Sequence, residues 1–157
     1  MKNEDKALSL TIECTEALRQ AFSGKNDILS GFRARARDLP IQLYYSGVTY
    51  TIAYIASKAS NEKNSGNELL MQAFSNNDLN TLFKEWSSNG SVKKEAYELI
   101  GACLMRAIKE LIGLNNVKNL TDVLKTLNDP NIQVLAERRL LEFAEWLKRL
   151  SEAIIQG

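Results

Sequence analysis

The segment from Arg33 to Lys58, RARARDLPIQLYYSGVTYTIAYIASK, constrains the fold more than any other, because it joins a basic lead-in to a stretch apolar on nearly every side of a helix. A surface helix presents one apolar stripe, so a helix apolar all round has to be enclosed by others. Asp38 suits an N-cap and Pro40 a first helical turn, where a missing N–H costs nothing. Ile41, Tyr45, Val48, Ile52, Ile55 and Ala59 then recur at helical spacing on one side, and Leu39, Leu43, Tyr50 and Tyr54 widen the apolar surface on the other. The spacing predicts one central core helix from Leu39 to Ala59. Gly47 falls in its interior, where glycine costs about 1 kcal/mol relative to alanine, so close packing of another backbone or a large side chain is the expected compensation.

Helical periodicity runs through the rest of the chain as well. A first helix is expected from Asp5 to Phe22, with Leu8, Ile12, Thr15, Leu18 and Phe22 inward and Gly24 near its end. A short segment, Asp27 to Arg37, leads to the core helix, and the polar cluster NEKNSGN after it reads as an exposed loop without chemistry. Residues 67–74 and 78–87 read as one broken or two short helices, with Asn77 a candidate cap and Asn89-Gly90 a stop. Ser91 suits the cap of a long helix to Ile112, ended by Gly113. Its inward residues are Val92, Ala96, Leu99, Ile100, Cys103, Ala107, Ile108 and Leu111. Thr121 starts a short helix to Leu127. Asp129 and Pro130 open a last one, on which Ile132, Ala136, Leu140, Phe143, Leu147, Leu150 and Ile154 recur at spacings of three and four. No segment alternates with period two and no repeat or linker appears. The expected fold is all-α: a compact single-domain bundle, residues 1–157, of about six helices.

Composition narrows the chemistry. The chain has no histidine, which removes the commonest general base, metal ligand and partner of a serine or cysteine nucleophile. Glu137, Glu142 and Glu145 lie among Arg138, Arg139, Lys148 and Arg149, where Arg138 with Glu142 and Glu145 with Arg149 read as i to i+4 pairs of a solvated face. No phosphate loop or dinucleotide fingerprint is present, and Cys14 and Cys103 alone cannot build a zinc site. Neither catalytic residues, nor a metal, nor a cofactor is expected. The two cysteines read as buried reduced thiols of a cytoplasmic protein, and no stretch is long and apolar enough for an export signal or a membrane span. With 20 basic against 19 acidic residues, any contact with nucleic acid has to come from a local patch.

The Arg33–Lys58 segment resembles the small subunit of the type III-B CRISPR effector, the RNA-guided Cmr complex. In that family a basic run leads into an L-P or A-P step, then a helix with a central glycine and an L/I-A-Y/F pattern ending in lysine. Here these features are Arg33, Arg35 and Arg37, Leu39-Pro40, Gly47, Ile52-Ala53-Tyr54 and Lys58. Near the C-terminus, Glu145-Trp146-Leu147-Lys148-Arg149-Leu150 is similar to the aromatic-aliphatic-basic-basic step of the family's last helix; residues 60 to 90 match nothing in it.

The resemblance implies a non-catalytic subunit of antiviral defence, stacked head to tail with further copies of itself beside the backbone and large subunits. Guide RNA and target RNA would be its nucleic-acid partners, touched through Arg33, Arg35 and Arg37, with Lys58, Lys148 and Arg149 carried over from the matched motifs. Guanidinium forks suit phosphate oxygens, so a run of them positions a strand without reading its sequence. On a helix Arg33 and Arg37 would align and Arg35 would face away; in an extended segment the three would share a side. Tyr44, Tyr45, Tyr50, Tyr54, Phe143 and Trp146 could stack on bases, but their spacing beside Ile and Leu assigns them to packing. The alternatives are a helical adaptor that binds protein alone, the small subunit of a type III-A complex, and an enzyme using carboxylates and a divalent ion, which has no acidic motif in its favour. Incubating the purified chain with labelled RNA and magnesium or manganese should leave the RNA intact; cleavage abolished by an acidic-residue substitution would contradict the non-catalytic reading.

Overall fold

The computed structural model describes residues 3–60, 63–114 and 116–155; Asn61 and Glu62 of the expected loop lie outside the described residues. The helices are α1 (Asn3–Ala21), α2 (Asn26–Ser46), α3 (Val48–Ala59), α4 (Gly66–Ser75), α5 (Leu79–Asn89), α6 (Tyr97–Ala107), α7 (Leu120–Leu127) and α8 (Pro130–Ile154). Among the described residues there is no strand, so the class is all-α as expected, with eight helices rather than about six. The buried apolar side chains form one contiguous cluster.

The expected core helix is in fact two helices. Asp38 and Pro40 do not open one: α2 begins at Asn26 and absorbs both, because Leu29, Phe32, Ala36, Leu39 and Leu43 form a buried stripe that continues through the proline. The short lead-in is therefore helical. The break comes at Gly47, whose φ of 83° and ψ of 169° lie in a region essentially reserved for glycine. Its N–H donates to the Leu43 carbonyl (3.1 Å), and its own carbonyl accepts from the Thr51 amide (3.2 Å) and hydroxyl (2.7 Å). A Cβ at Gly47 would meet nothing within 4 Å, so the glycine serves the backbone bend and not a close contact. The bend leaves Ile41 59%, Tyr45 80% and Tyr50 62% exposed, contrary to the expected inward stripe.

The helix that is enclosed all round is α6. Glu98 to Met105 are buried without interruption, followed by Ala107 and Ile108, and α6 touches α1, α2, α3, α4 and α8. At Gly101 an added Cβ would lie 2.8 Å from Leu70 and 3.1 Å from Ile55, so α3 and α4 close onto α6 at a residue with no side chain. α8 covers the opposite side, lying across α1 and α2, while α5 leans on α1. On α1 the buried face is Ala7, Leu10, Thr11, Cys14, Thr15, Ala17 and Leu18; Ile12, expected inside, is 46% exposed.

The ends follow local chemistry more than the expected positions did. Asp78, not Asn77, caps α5 through the Asn80 and Thr81 amides, and Asn119 caps α7, which starts at Leu120, one residue before the expected start. Ser91 does not open a helix: residues 91–96 are a non-helical strap, and α6 starts after Ala96, whose φ is 60°. Gly90 and Gly113 terminate α5 and the α6 extension in left-handed conformations, and Asp129 caps α8 with Pro130 in its first turn, as expected. Residues 108–112 continue α6 as a π turn whose exposed carbonyls are met by cations, Lys6 on Glu110 (2.7 Å) and Arg139 on Leu111 (2.6 Å).

Cys14 and Cys103 are not free thiols but a disulfide between α1 and α6, their Cα atoms 5.9 Å apart. Both face the same core layer, which sequence spacing alone could not show. The bond closes a loop over a separation of 89 residues. Two outcomes follow from these features. Gly47→Ala and Gly47→Leu should destabilise by similar amounts, about 1–3 kcal/mol, because the cost is backbone strain; in denaturant melts a much larger effect of leucine would indicate packing instead. Reduction should lower the thermal midpoint by on the order of 5–15 °C, as expected for a long closed loop in a domain of this size; an unchanged midpoint would mean the thiols are unpaired in solution.

Candidate nucleic-acid interface

The helical state of α2 divides the three arginines between two sides. Arg33 is half-buried against α8, where its Nη2 donates to the Glu152 carbonyl at 3.5 Å and its buried Nε has no partner. Leu43 and Tyr44, at the other end of α2, share a groove with Val134, Arg138 and Leu141, so the two helices run antiparallel. Exposed Arg37, one turn beyond Arg33, and half-buried Lys148, one turn before Glu152, therefore belong to one seam. Arg149 stands apart, lining a shallow groove on the outer face of α8 with Glu142, Glu145 and Trp146. The expected pairs Arg138–Glu142 and Glu145–Arg149 do not close to ion-pair distance among the described residues; Gln133 instead donates to Glu137 at 3.4 Å.

Arg35 faces the other way and begins a row of two rings with a cation at each end. Its Nη1 donates to the Tyr97 hydroxyl at 3.2 Å, and its guanidinium lies over the Tyr97 ring, 5.0 Å from the centroid. Tyr97 meets Tyr54 edge to face at 6.0 Å, and the Lys58 ammonium lies over the Tyr54 ring at 5.6 Å. The order is Arg35, Tyr97, Tyr54, Lys58, drawn from α2, α6, α3 and α3. Each member is anchored by a buried neighbour: Ala36 beside Arg35, Ile55 beside Tyr54, Ala59 beside Lys58 and Glu98 beside Tyr97. Burial first, then the contact with Tyr54, raises the Tyr97 hydroxyl above its ordinary value, while Arg35 pulls it down. Tyr97 thus keeps its proton and stays a neutral ring and hydrogen-bond group beside the two cations.

The strap between α5 and α6 fixes one end of this ladder. The Lys93 ammonium donates to the carbonyls of Lys58 (2.9 Å) and Ser60 (2.7 Å), tying the strap to the C-terminus of α3. Glu98, fully buried in the first turn of α6, accepts from the Lys93 amide at 3.2 Å and lies 3.9 Å from its ammonium. Burial raises the Glu98 carboxyl to about 7 against these stabilising contacts. The second carboxyl oxygen has no hydrogen-bond partner.

Of the six expected RNA-binding residues, Arg35 and Lys58 are brought together on one surface, each over a tyrosine ring, whereas Arg149 lies beside Trp146 elsewhere. Sequence reasoning missed the rings themselves. Tyr54, assigned to packing, is one turn from Lys58 on the same helix face, which the sequence does show; Tyr97 reaches the site through tertiary structure alone. Tyr44 and Tyr45, also assigned to packing, are 73% and 80% exposed, whereas Phe143 is buried as expected.

The family described as CRISPR-associated protein (Cas_Cmr5) matches residues 5–154. The chain belongs to the Cmr5 family. It is 31% identical over 159 aligned positions to the CRISPR system CMR subunit Cmr5 of Saccharolobus solfataricus, an alignment that covers 98% of this chain and 96% of that protein. No solved structure matches. Membership of the Cmr5 family bears out the resemblance carried by the Arg33–Lys58 segment and the Trp146 step, and no helix among the described residues is long and apolar enough to cross a membrane.

Glu98 gives this arrangement a pH signature. Because its folded value is raised, the stability it contributes is complete below the ordinary 4.5 and is lost as the pH rises through about 7. Glu98→Gln should therefore raise the thermal midpoint at pH 8 more than at pH 5, the ionised carboxylate costing on the order of 3 kcal/mol at the higher pH. Equal shifts at both would show that Glu98 is solvated.

Proposed function

We propose that this chain is the non-catalytic small subunit of a type III-B CRISPR effector complex, serving antiviral defence, and that it holds the guide or target RNA through the ladder Arg35–Tyr97–Tyr54–Lys58. The observation that carries the reading is this pair of rings with a cation at each end on one surface: guanidinium and ammonium groups suit phosphates, and tyrosine rings suit unstacked bases. None of the four groups distinguishes one base from another, which fits a particle in which pairing with a guide does the recognition. The Cmr5 family membership supports the complex, and supports type III-B over type III-A.

A net charge of +1 gives the isolated chain little long-range attraction for RNA. Copies stacked head to tail would join several ladders, and linked sites gain affinity without new contacts. The exposed apolar residues Ile41, Tyr44, Tyr45 and Val134 suit contacts with neighbouring copies or with the backbone and large subunits. They favour protein contacts in addition to RNA, rather than an adaptor that binds protein alone.

Arg35→Glu with Lys58→Glu should leave assembly intact and weaken target binding about equally for different matched guides. The log–log salt dependence should flatten by about 0.7 for each single-strand phosphate that the variant no longer neutralises. Arg149→Glu, on the far face of α8, should have little effect. An assembled double variant with unchanged affinity and salt slope would remove RNA from this surface.

A further inference from the structure

The Lys58 end of the ladder opens into a cleft of about 740 Å³ between the C-terminus of α3 and the α5–α6 strap. That size falls within the roughly 300–1,000 Å³ of small-ligand sites. Ser60, Lys63, Asn64, Asn89, Ser91 and Lys93 line it, so the lining among the described residues includes two ammonium groups. Lys63 and Asn64 belong to the NEKNSGN cluster, which by sequence alone reads as an exposed loop without chemistry.

Two features make the cleft a built site and not just a surface depression. Lys93 is held in place by the Lys58 and Ser60 carbonyls, with the buried Glu98 carboxyl behind it. Asn89 is oriented by its side-chain oxygen, which accepts from both the amide and the hydroxyl of Ser91. Its NH₂ group is thereby left as a donor, and it has no hydrogen-bond partner among the described residues. Ammonium groups suit a phosphate, and a fixed amide donor suits a base or sugar oxygen.

We infer that this cleft binds one nucleotide of the RNA strand that lies along the ladder, its phosphate on Lys63 and Lys93 and its base or ribose on Asn89. Tyr54 and Lys58 point the way on α3, one turn apart, and Ser60 begins the cleft wall, so strand and cleft are continuous. The inference rests on the RNA reading above. It adds a polar pocket at the end of a stacking surface, which would fix where along the strand each copy sits.

The test uses the full-length protein labelled with nitrogen-15 and three probes: inorganic phosphate, uridine or adenosine monophosphate, and a four-nucleotide RNA. Saturable shifts of the Asn89 side-chain amide and the Lys93 amide are expected with a monophosphate. The tetranucleotide should bind at least about tenfold tighter, since stacking adds roughly that per base. Asn89→Asp keeps the acceptor for Ser91 and replaces the donors with a repelling charge; it and Lys63→Glu should abolish the monophosphate shifts. Arg35→Glu should spare those shifts and remove the tetranucleotide's advantage. Absence of monophosphate shifts while the tetranucleotide still binds through Arg35 would overturn the cleft and leave the ladder standing. Monophosphate binding with no gain from the longer RNA would show a free-nucleotide site and overturn the strand assignment, and phosphate alone acting equally well would reduce the site to an anion contact.

Discussion

Burial of α6 on every side is the constraint on which the rest of the structure depends. Leu99 to Met105 present no face to water, so α1, α2, α3, α4 and α8 have to surround them. Gly101 lets α3 and α4 approach, and the Cys14–Cys103 disulfide ties α6 to α1. The start of α6 is where this enclosure meets the surface: Glu98 is inside, Tyr97 is at the rim, and the strap ending at Ala96 carries Lys93 back to α3. The proposed RNA-facing ladder is thus the edge of the core and not an independent loop.

The helical class, the α8 seam and the stops at Gly90 and Gly113 are legible in the sequence, because each depends on local pattern. An all-round apolar helix is indeed central, but it is α6, Tyr97–Ala107, and not a single helix over 39–59. Both segments are rich in apolar side chains, and only tertiary packing decides that Tyr45 and Tyr50 face water while Cys103 and Met105 do not. Gly47 is legible as an anomaly but not as a bend, since a glycine demanded by φ and one demanded by packing look the same in a string of letters.

For the candidate site the division is similar. The periodicity of α2 separates Arg35 from Arg33 and Arg37 once the segment is known to be helical, and Tyr54 and Lys58 share a face by spacing alone. Tyr97 and Lys93 lie more than 30 residues from the α3 groups they touch, and no local pattern connects them. The disulfide, with its separation of 89 residues, is hidden for the same reason.

On the proposed reading, a nearly neutral chain that holds RNA needs its cations placed locally and its affinity multiplied by assembly. The ladder meets the first requirement with two cations and two rings supplied by three helices. The most direct measurement is ultraviolet crosslinking of the guide-loaded complex bound to its target, with the modified peptides mapped by mass spectrometry. RNA adducts at Tyr54 or Tyr97 are the predicted result. Adducts confined to other positions, with both tyrosines unmodified in a complex that holds its target, would contradict the assignment of this surface to RNA.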